Sequence, residues 1–211
     1  MKVVLLEDRD SVRWAVVLED GGEKLKVQDE RGQQVWIPRK KVLFELQPAA
    51  SGSSDIVSEV RRQVETIAQD IDVQLLWSLL QEEGRTGRTL DELARLYFGS
   101  RPIPEERVAL YLRLNSETLY FRVRGDLYEP RLPDQVEALQ HQRQAEQARQ
   151  SRIEAMAQRL ARWIHTPTAP WTEEDRRLAE TVLAYFRRKV DDRTVHDLQQ
   201  VFATVPELQE D

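Results

Sequence analysis

Between Leu75 and Arg131 three short helical periods run into a tight hairpin, and that order leaves few folds open. Val73-Gln74-Leu75-Leu76-Trp77-Ser78-Leu79-Leu80 presents one broad apolar face and stops at Gly84. Thr89, with Glu92 three residues on, forms a capping box in which side chain and backbone satisfy each other. Leu90, Leu93, Ala94 and Tyr97 line the helix that follows, and Gly99 ends it. Pro104 suits the first turn of a third helix, with Glu105 and Glu106 at the positive end of its dipole and Val108, Tyr111 and Leu112 toward a core. Leu119 to Val123 and Leu127 to Pro130 then pair through a turn at Gly125-Asp126, where glycine tolerates the positive φ that such turns need. This register sets Arg122 opposite Glu129 and Val123 opposite Tyr128. Three helices and a hairpin in this order make a winged helix, expected over residues 55–131.

The face left over on the third helix carries Glu106, Leu110 and Arg113. Base-edge reading needs Arg, Lys, Asn or Gln there, and glutamates at the N-terminus meet phosphate unfavourably, so duplex DNA is a poor ligand for it. The hairpin is better equipped. With Arg122 paired to Glu129, Arg124 at the tip and Arg131 beyond it are expected to be free for phosphate. Tyr120 or Tyr128, if exposed, would stack on a base. The structural reading, solvated arginines on a hairpin packed against its helices, stands beside this one. Arg124-Gly125-Asp126 matches an adhesion tripeptide by letters only.

Residues 1–47 alternate in short runs separated by turns at Asp20-Gly21-Gly22 and Arg31-Gly32, which predicts five antiparallel strands curled into a small β-barrel. Trp14, Trp36 and Phe44 read as its core, while Arg39, Lys40 and Lys41 are candidates for its binding surface. Residues 48–54 have linker composition, and Asp55 suits the cap of the next helix. In that helix Ile56, Val60, Val64, Ile67 and Ile71 form an apolar stripe that must dock on a neighbour.

A long helix is expected over residues 132–165, polar nearly all round from Gln140 to Arg152. Ile153, Met156, Leu160 and Trp163 then form a narrow seam for a partner helix, either within the chain or in a second copy. Arg143, Arg149, Arg152, Arg159 and Arg162 outnumber the nearby acids, and Arg143 and Arg149 join the candidates for RNA contact. Residues 166–171 form a stiff break. In the C-terminal segment, residues 172–211, Thr172 with Asp175 and Thr194 with Asp197 read as helix caps, and Leu178, Val182, Tyr185 and Phe186 as one apolar face. The fold class is therefore α+β and multidomain.

Lys+Arg of 31 against Asp+Glu of 37 leaves a net charge of −6, so any nucleic-acid contact has to be a local patch. With no cysteine, no apolar leader and no run of membrane length, the reading is a cytoplasmic protein without disulfides or membrane contact. His141, His165 and His196 are scattered, no Gly-rich phosphate loop is present, and Asp191-Asp192 suits helix capping. No catalytic residue, metal site or cofactor is expected in this chain.

The segments LDELARLYFGS, Leu90 to Ser100, and LYFRVRGDLYEPRLPDQVEALQHQRQAE, Leu119 to Glu146, resemble the N-terminal, pre-catalytic region of ribonuclease II-type (RNB family) exoribonucleases of cyanobacteria and plastids. The resemblance covers roughly Val73 to Glu146. It implies a non-catalytic module that admits or positions single-stranded RNA ahead of a hydrolytic 3′-to-5′ exoribonuclease domain. The magnesium-holding aspartates of that domain have no match here, so magnesium is expected only in a part beyond these residues. The chain then reads as the front end of an enzyme, acting with a ribonuclease catalytic domain in cis, or as a free-standing relative that kept the module. Two other readings stand beside it: a protein-interaction adaptor or regulator of RNA metabolism, using the barrel and the Ile153 to Trp163 seam, and a winged-helix DNA-binding regulator.

Overall fold

The computed structural model describes residues 2–8, 11–47, 56–82, 84 and 86–208. The expected linker at 48–54 and the Asp55 cap lie outside the described residues. The fold is α+β, and the chain divides into two compact units, Met1–Val136 and Glu137–Asp211.

In the first unit β1 (Lys2–Asp8), β2 (Ser11–Asp20), β3 (Lys24–Asp29), β4 (Gln34–Pro38) and β5 (Val42–Leu46) form an antiparallel sheet in the order β4-β3-β2-β1-β5. Four consecutive residues of β1, Val3 to Leu6, are buried, because both faces of the strand are covered. Val4 and Leu6 pack with Ala15, Leu25 and Val27 in the sheet's own core. Val3 and Leu5 pair with Val16 and Trp14 on the other face, the one shared with Leu46 and Phe44. Bulges at Leu5/Leu6 and Val17/Glu19 bend the strands around that inner core. Among the described residues no ladder joins β4 to β5. Instead Arg39, in the 3-10 turn Arg39–Lys41, donates from Nε to the Gly22 carbonyl at 2.9 Å and from Nη1 to Glu45 at 2.9 Å.

Trp36, expected in the core, is 46% exposed. It belongs to β4, the outer strand, which has no neighbour beyond it to cover the ring. The ring lies instead against Gly21, where a Cβ would come within 3.1 Å of it.

The rest of this unit consists of α1 (Ile56–Gln69), α2 (Val73–Glu82), β6 (Arg88–Thr89), α3 (Leu90–Phe98), α4 (Pro104–Ser116), β7 (Phe121–Arg124) and β8 (Leu127–Pro130). The small sheet runs β6-β8-β7, so the hairpin gains a third strand that the sequence pattern does not reveal. Thr89 ends β6 and caps α3: its Oγ1 accepts from the Glu92 N–H at 3.3 Å, and Glu92 accepts from the Thr89 N–H at 2.8 Å. Trp77 of α2 donates from Nε1 to the Arg131 carbonyl at 2.8 Å, which anchors the chain as it leaves the hairpin.

The long α5 (Pro133–His165) continues into the second unit, which adds α6 (Glu173–Phe186) and α7 (Asp192–Thr204). Ile153, Ala157 and Leu160 of α5 pack with Leu178 of α6 and Leu198 and Val201 of α7. Thr172 and Asp175 form the capping box of α6. The cap of α7 is Asp191, whose carboxylate accepts from the Thr194 N–H at 2.9 Å. The expected Thr194 and Asp197 pair is not the cap, because Thr194 is already the third residue of the helix and Asp197 turns to Arg149.

Candidate nucleic-acid interface

In a winged helix that reads duplex DNA, the helix in the position of α4 lies open to the groove. Here it is closed. No residue from Glu105 to Leu114 is exposed. α1 packs along α4, α3 packs against it, and Tyr111 meets Phe44 of β5 edge to face at 5.2 Å. Leu110, expected on the outer face, is fully buried, on a helix that α1, α3 and β5 all pack against. Glu106 accepts from the Ile103 N–H at 2.8 Å, Arg113 donates from Nε to the Ile71 carbonyl at 3.5 Å, and Arg107 pairs with Asp91. Glu106, Arg107 and Arg113 thus serve the fold.

The hairpin has the register read from sequence, Arg122 opposite Glu129 and Val123 opposite Tyr128. Its tyrosines, however, face inward. Tyr120 is 9% exposed, donates to Gln74 Oε1 at 3.0 Å and packs against Trp77 with ring centroids 5.6 Å apart. Tyr128 is 5% exposed, accepts from Asn115 Nδ2 at 3.5 Å, and has its phenol pKa raised by burial. Neither ring is available to stack on a base. Arg131 donates from Nε to the Thr118 carbonyl at 3.4 Å, so it is held against the fold and does not stand free.

The arginines divide the other way from the sequence reading. Glu129 pairs with Arg124, at 3.6 Å, although the Arg124 side chain stays 61% exposed. Arg122 is exposed, and no ion pair or hydrogen bond to it is seen among the described residues. Period-two alternation sets Arg122 and Arg124 on one face of β7, with Val123 half-exposed between them and Leu127 across the turn. Asp126 and Glu129 are the acids beside them. The arrangement places two exposed guanidinium groups on one face, that of Arg124 paired with Glu129, and Arg122 is the candidate that sequence reasoning misses. The signal for it is the i, i+2 spacing with Arg124.

Elsewhere, Arg39 is a clamp: besides Gly22 and Glu45 it pairs with Asp20, whose carboxyl is lowered first by that hydrogen bond. Lys40 and Lys41 are exposed. Arg143 is exposed on α5, while Arg149 is tied to Asp197 at 2.7 Å with its side chain 18% exposed. Arg159 pairs with Glu174, and both Arg159 and Arg162 reach the fully buried Asp175. The seam of Ile153, Met156, Leu160 and Trp163 packs with α6 and α7 of the same chain, with Ile153 and Leu160 buried there and Met156 and Trp163 partly buried. Among the described residues no group of His, Cys, Asp and Glu converges as a metal site, and no helix is long and apolar enough to cross a membrane.

The architecture is that of a winged-helix protein with a closed third helix, followed by an all-helical unit. Comparison with known families gives the same two parts in the same order: "Ribonuclease II, winged helix domain" matches residues 59–135 and "Double HTH domain" of ribonuclease II matches residues 136–205. The chain belongs to the ribonuclease II type, over the N-terminal region of that family. An uncharacterized ribonuclease of Synechocystis is 27% identical over 157 residues, a stretch that covers 74% of this chain and 23% of that relative. The chain thus spans less than two thirds of the relative's length.

Proposed function

We propose that this chain is a non-catalytic, RNA-contacting region of a ribonuclease II-type 3′-to-5′ exoribonuclease, and that it guides single-stranded RNA toward a catalytic domain in the same polypeptide. The observation that carries the proposal is the contrast within the winged helix: α4 has no exposed residue between Glu105 and Leu114, while Arg122 and Arg124 stand out on the hairpin. A closed α4 removes groove reading of duplex DNA. Two exposed cations on an outlying hairpin suit the flexible backbone of a single strand. With a net charge of −6 on the whole chain, the contact is local and sensitive to salt.

Fluorescence anisotropy of the chain with labelled single-stranded RNA and with duplex DNA, at low and at physiological salt, tests this. The expected result is binding to single-stranded RNA that weakens with salt, in preference to duplex DNA. Preference for duplex DNA would return the function to a DNA-binding regulator. No binding to either at low salt would favour the adaptor reading.

A further inference from the structure

The hairpin supplies cations but no exposed ring, since Tyr120 and Tyr128 are buried. An exposed ring beside cations does occur in the helical unit. Phe186, the last residue of α6, is 70% exposed, more than any other large apolar side chain described. The next three residues, Arg187, Arg188 and Lys189, are all exposed, as is Arg193 at the start of α7. Resting on the RNA reading above, we infer that this α6–α7 turn is a second contact for single-stranded RNA, in which one base stacks on Phe186 and the flanking phosphates meet Arg187, Arg188 and Lys189.

Three observations support the assignment. The Phe186 ring lies near-parallel to Phe202 at 6.3 Å and edge to face with Tyr185 at 5.3 Å, and these neighbours leave its outer face open. The backbone of the turn is internally bonded, the N–H groups of Arg187, Arg188 and Lys189 donating to the carbonyls of Leu183, Tyr185 and Ala184 at 3.1, 2.9 and 2.9 Å, while their side chains are exposed. Arg188 occupies the left-handed position of this helix end, φ 54°, where glycine is the favoured residue. This left-handed residue turns the chain at the end of α6 with its cationic side chain exposed.

Asp191 and Asp192 belong to the same turn: Asp191 caps α7, where the hydrogen bond from the Thr194 N–H and then the Thr194 hydroxyl lower its carboxyl and keep it ionised, so two acids stand against the four cations Arg187, Arg188, Lys189 and Arg193. Phe186 also borders an apolar groove with Leu160, Trp163, Val182 and Phe202. Such a groove could instead take an apolar protein segment, but three consecutive cations at its rim complement a polyanion.

The test is anisotropy of the full chain with a short labelled oligouridylate, for wild type, Phe186→Ala, Phe186→Tyr and Arg187→Ala/Lys189→Ala, with thermal melts as a check on folding. The expected result is about ten-fold weaker binding for Phe186→Ala and near-wild-type binding for Phe186→Tyr. In the double variant the salt slope should be shallower by about 0.7 for each phosphate no longer neutralised. Wild-type affinity in Phe186→Ala, with the wild type binding RNA, overturns this inference and leaves the proposed function standing. It would assign the ring to the apolar groove as cover for a protein segment. Equal weakening in Phe186→Tyr and Phe186→Ala also overturns it. Absence of RNA binding by the wild type at low salt removes both.

Discussion

Arg149 donates from Nε to Oδ1 of Asp197 at 2.7 Å, which ties α5 to α7 in the helical unit. Both side chains are mostly covered, 18% and 15% exposed, so the pair belongs to the fold more than to a binding surface. Arg149→Ala is expected to lower the melting midpoint of this unit, because it strands Asp197 beside the helix packing. Arg152→Ala, at an exposed position on the same helix, should leave the midpoint unchanged. Calorimetry of the two variants checks this, and equal midpoints for both would return Arg149 to the free cations.

Closure of α4 has a stability signature. Leu110 is fully buried, so Leu110→Ala should cost about 3 kcal/mol in urea unfolding of the first unit. On an open recognition helix the same substitution would cost only a few tenths. A small effect would mean that the buried face of α4 carrying Leu110 opens in solution.

Thr89 serves two elements at once, as the last residue of β6 and the cap of α3. Thr89→Ala should destabilise the winged helix by about 1 kcal/mol by removing the cap. Thr89→Ser, which keeps the hydroxyl, should recover most of that stability. The comparison is made by urea midpoints at constant m-value.

Asp175 gives the helical unit a dependence on acid. Hydrogen bonds from the Thr172 N–H, then from the Thr172 hydroxyl and Arg162, hold its carboxyl well below the usual range, against the burial that would raise it. The folded-state pKa therefore lies below the unfolded one, and the folded chain binds fewer protons. Its stabilisation is present above the unfolded value, about 3.9, and is lost as pH falls toward the folded pKa. Asp175→Asn should lower the melting midpoint at neutral pH and reduce its fall with acid relative to wild type. Parallel profiles in the two proteins would contradict this.

Much of this architecture is legible in local chemistry. The Thr89 and Glu92 box, the Gly125-Asp126 turn with its register, and the Thr172 and Asp175 cap each depend on residues within a few positions of one another. The remainder depends on residues distant in sequence. The two-residue β6 is too short to show a period and exists because β8 offers it a neighbour. The elements packed around α4 decide that Leu110 is buried, and an apolar stripe such as that of α1 does not name its partner. Alternation shows that Arg122 and Arg124 share a face, but not that Glu129 chooses Arg124, nor that Tyr120 and Tyr128 turn inward. For the α7 cap, Thr194 and Asp191 compete three residues apart, and Arg149 on another helix removes Asp197 from the pairing that would favour Thr194.

The measurement that bears most directly on the central claim is the affinity of the full chain for single-stranded RNA, compared with that of Arg122→Ala/Arg124→Ala, over a series of salt concentrations. The account predicts weaker binding in the variant, with a salt slope shallower by about 0.7 for each phosphate no longer neutralised and an unchanged melting midpoint. Identical affinity and slope in the two proteins would contradict it and take the hairpin out of RNA recognition.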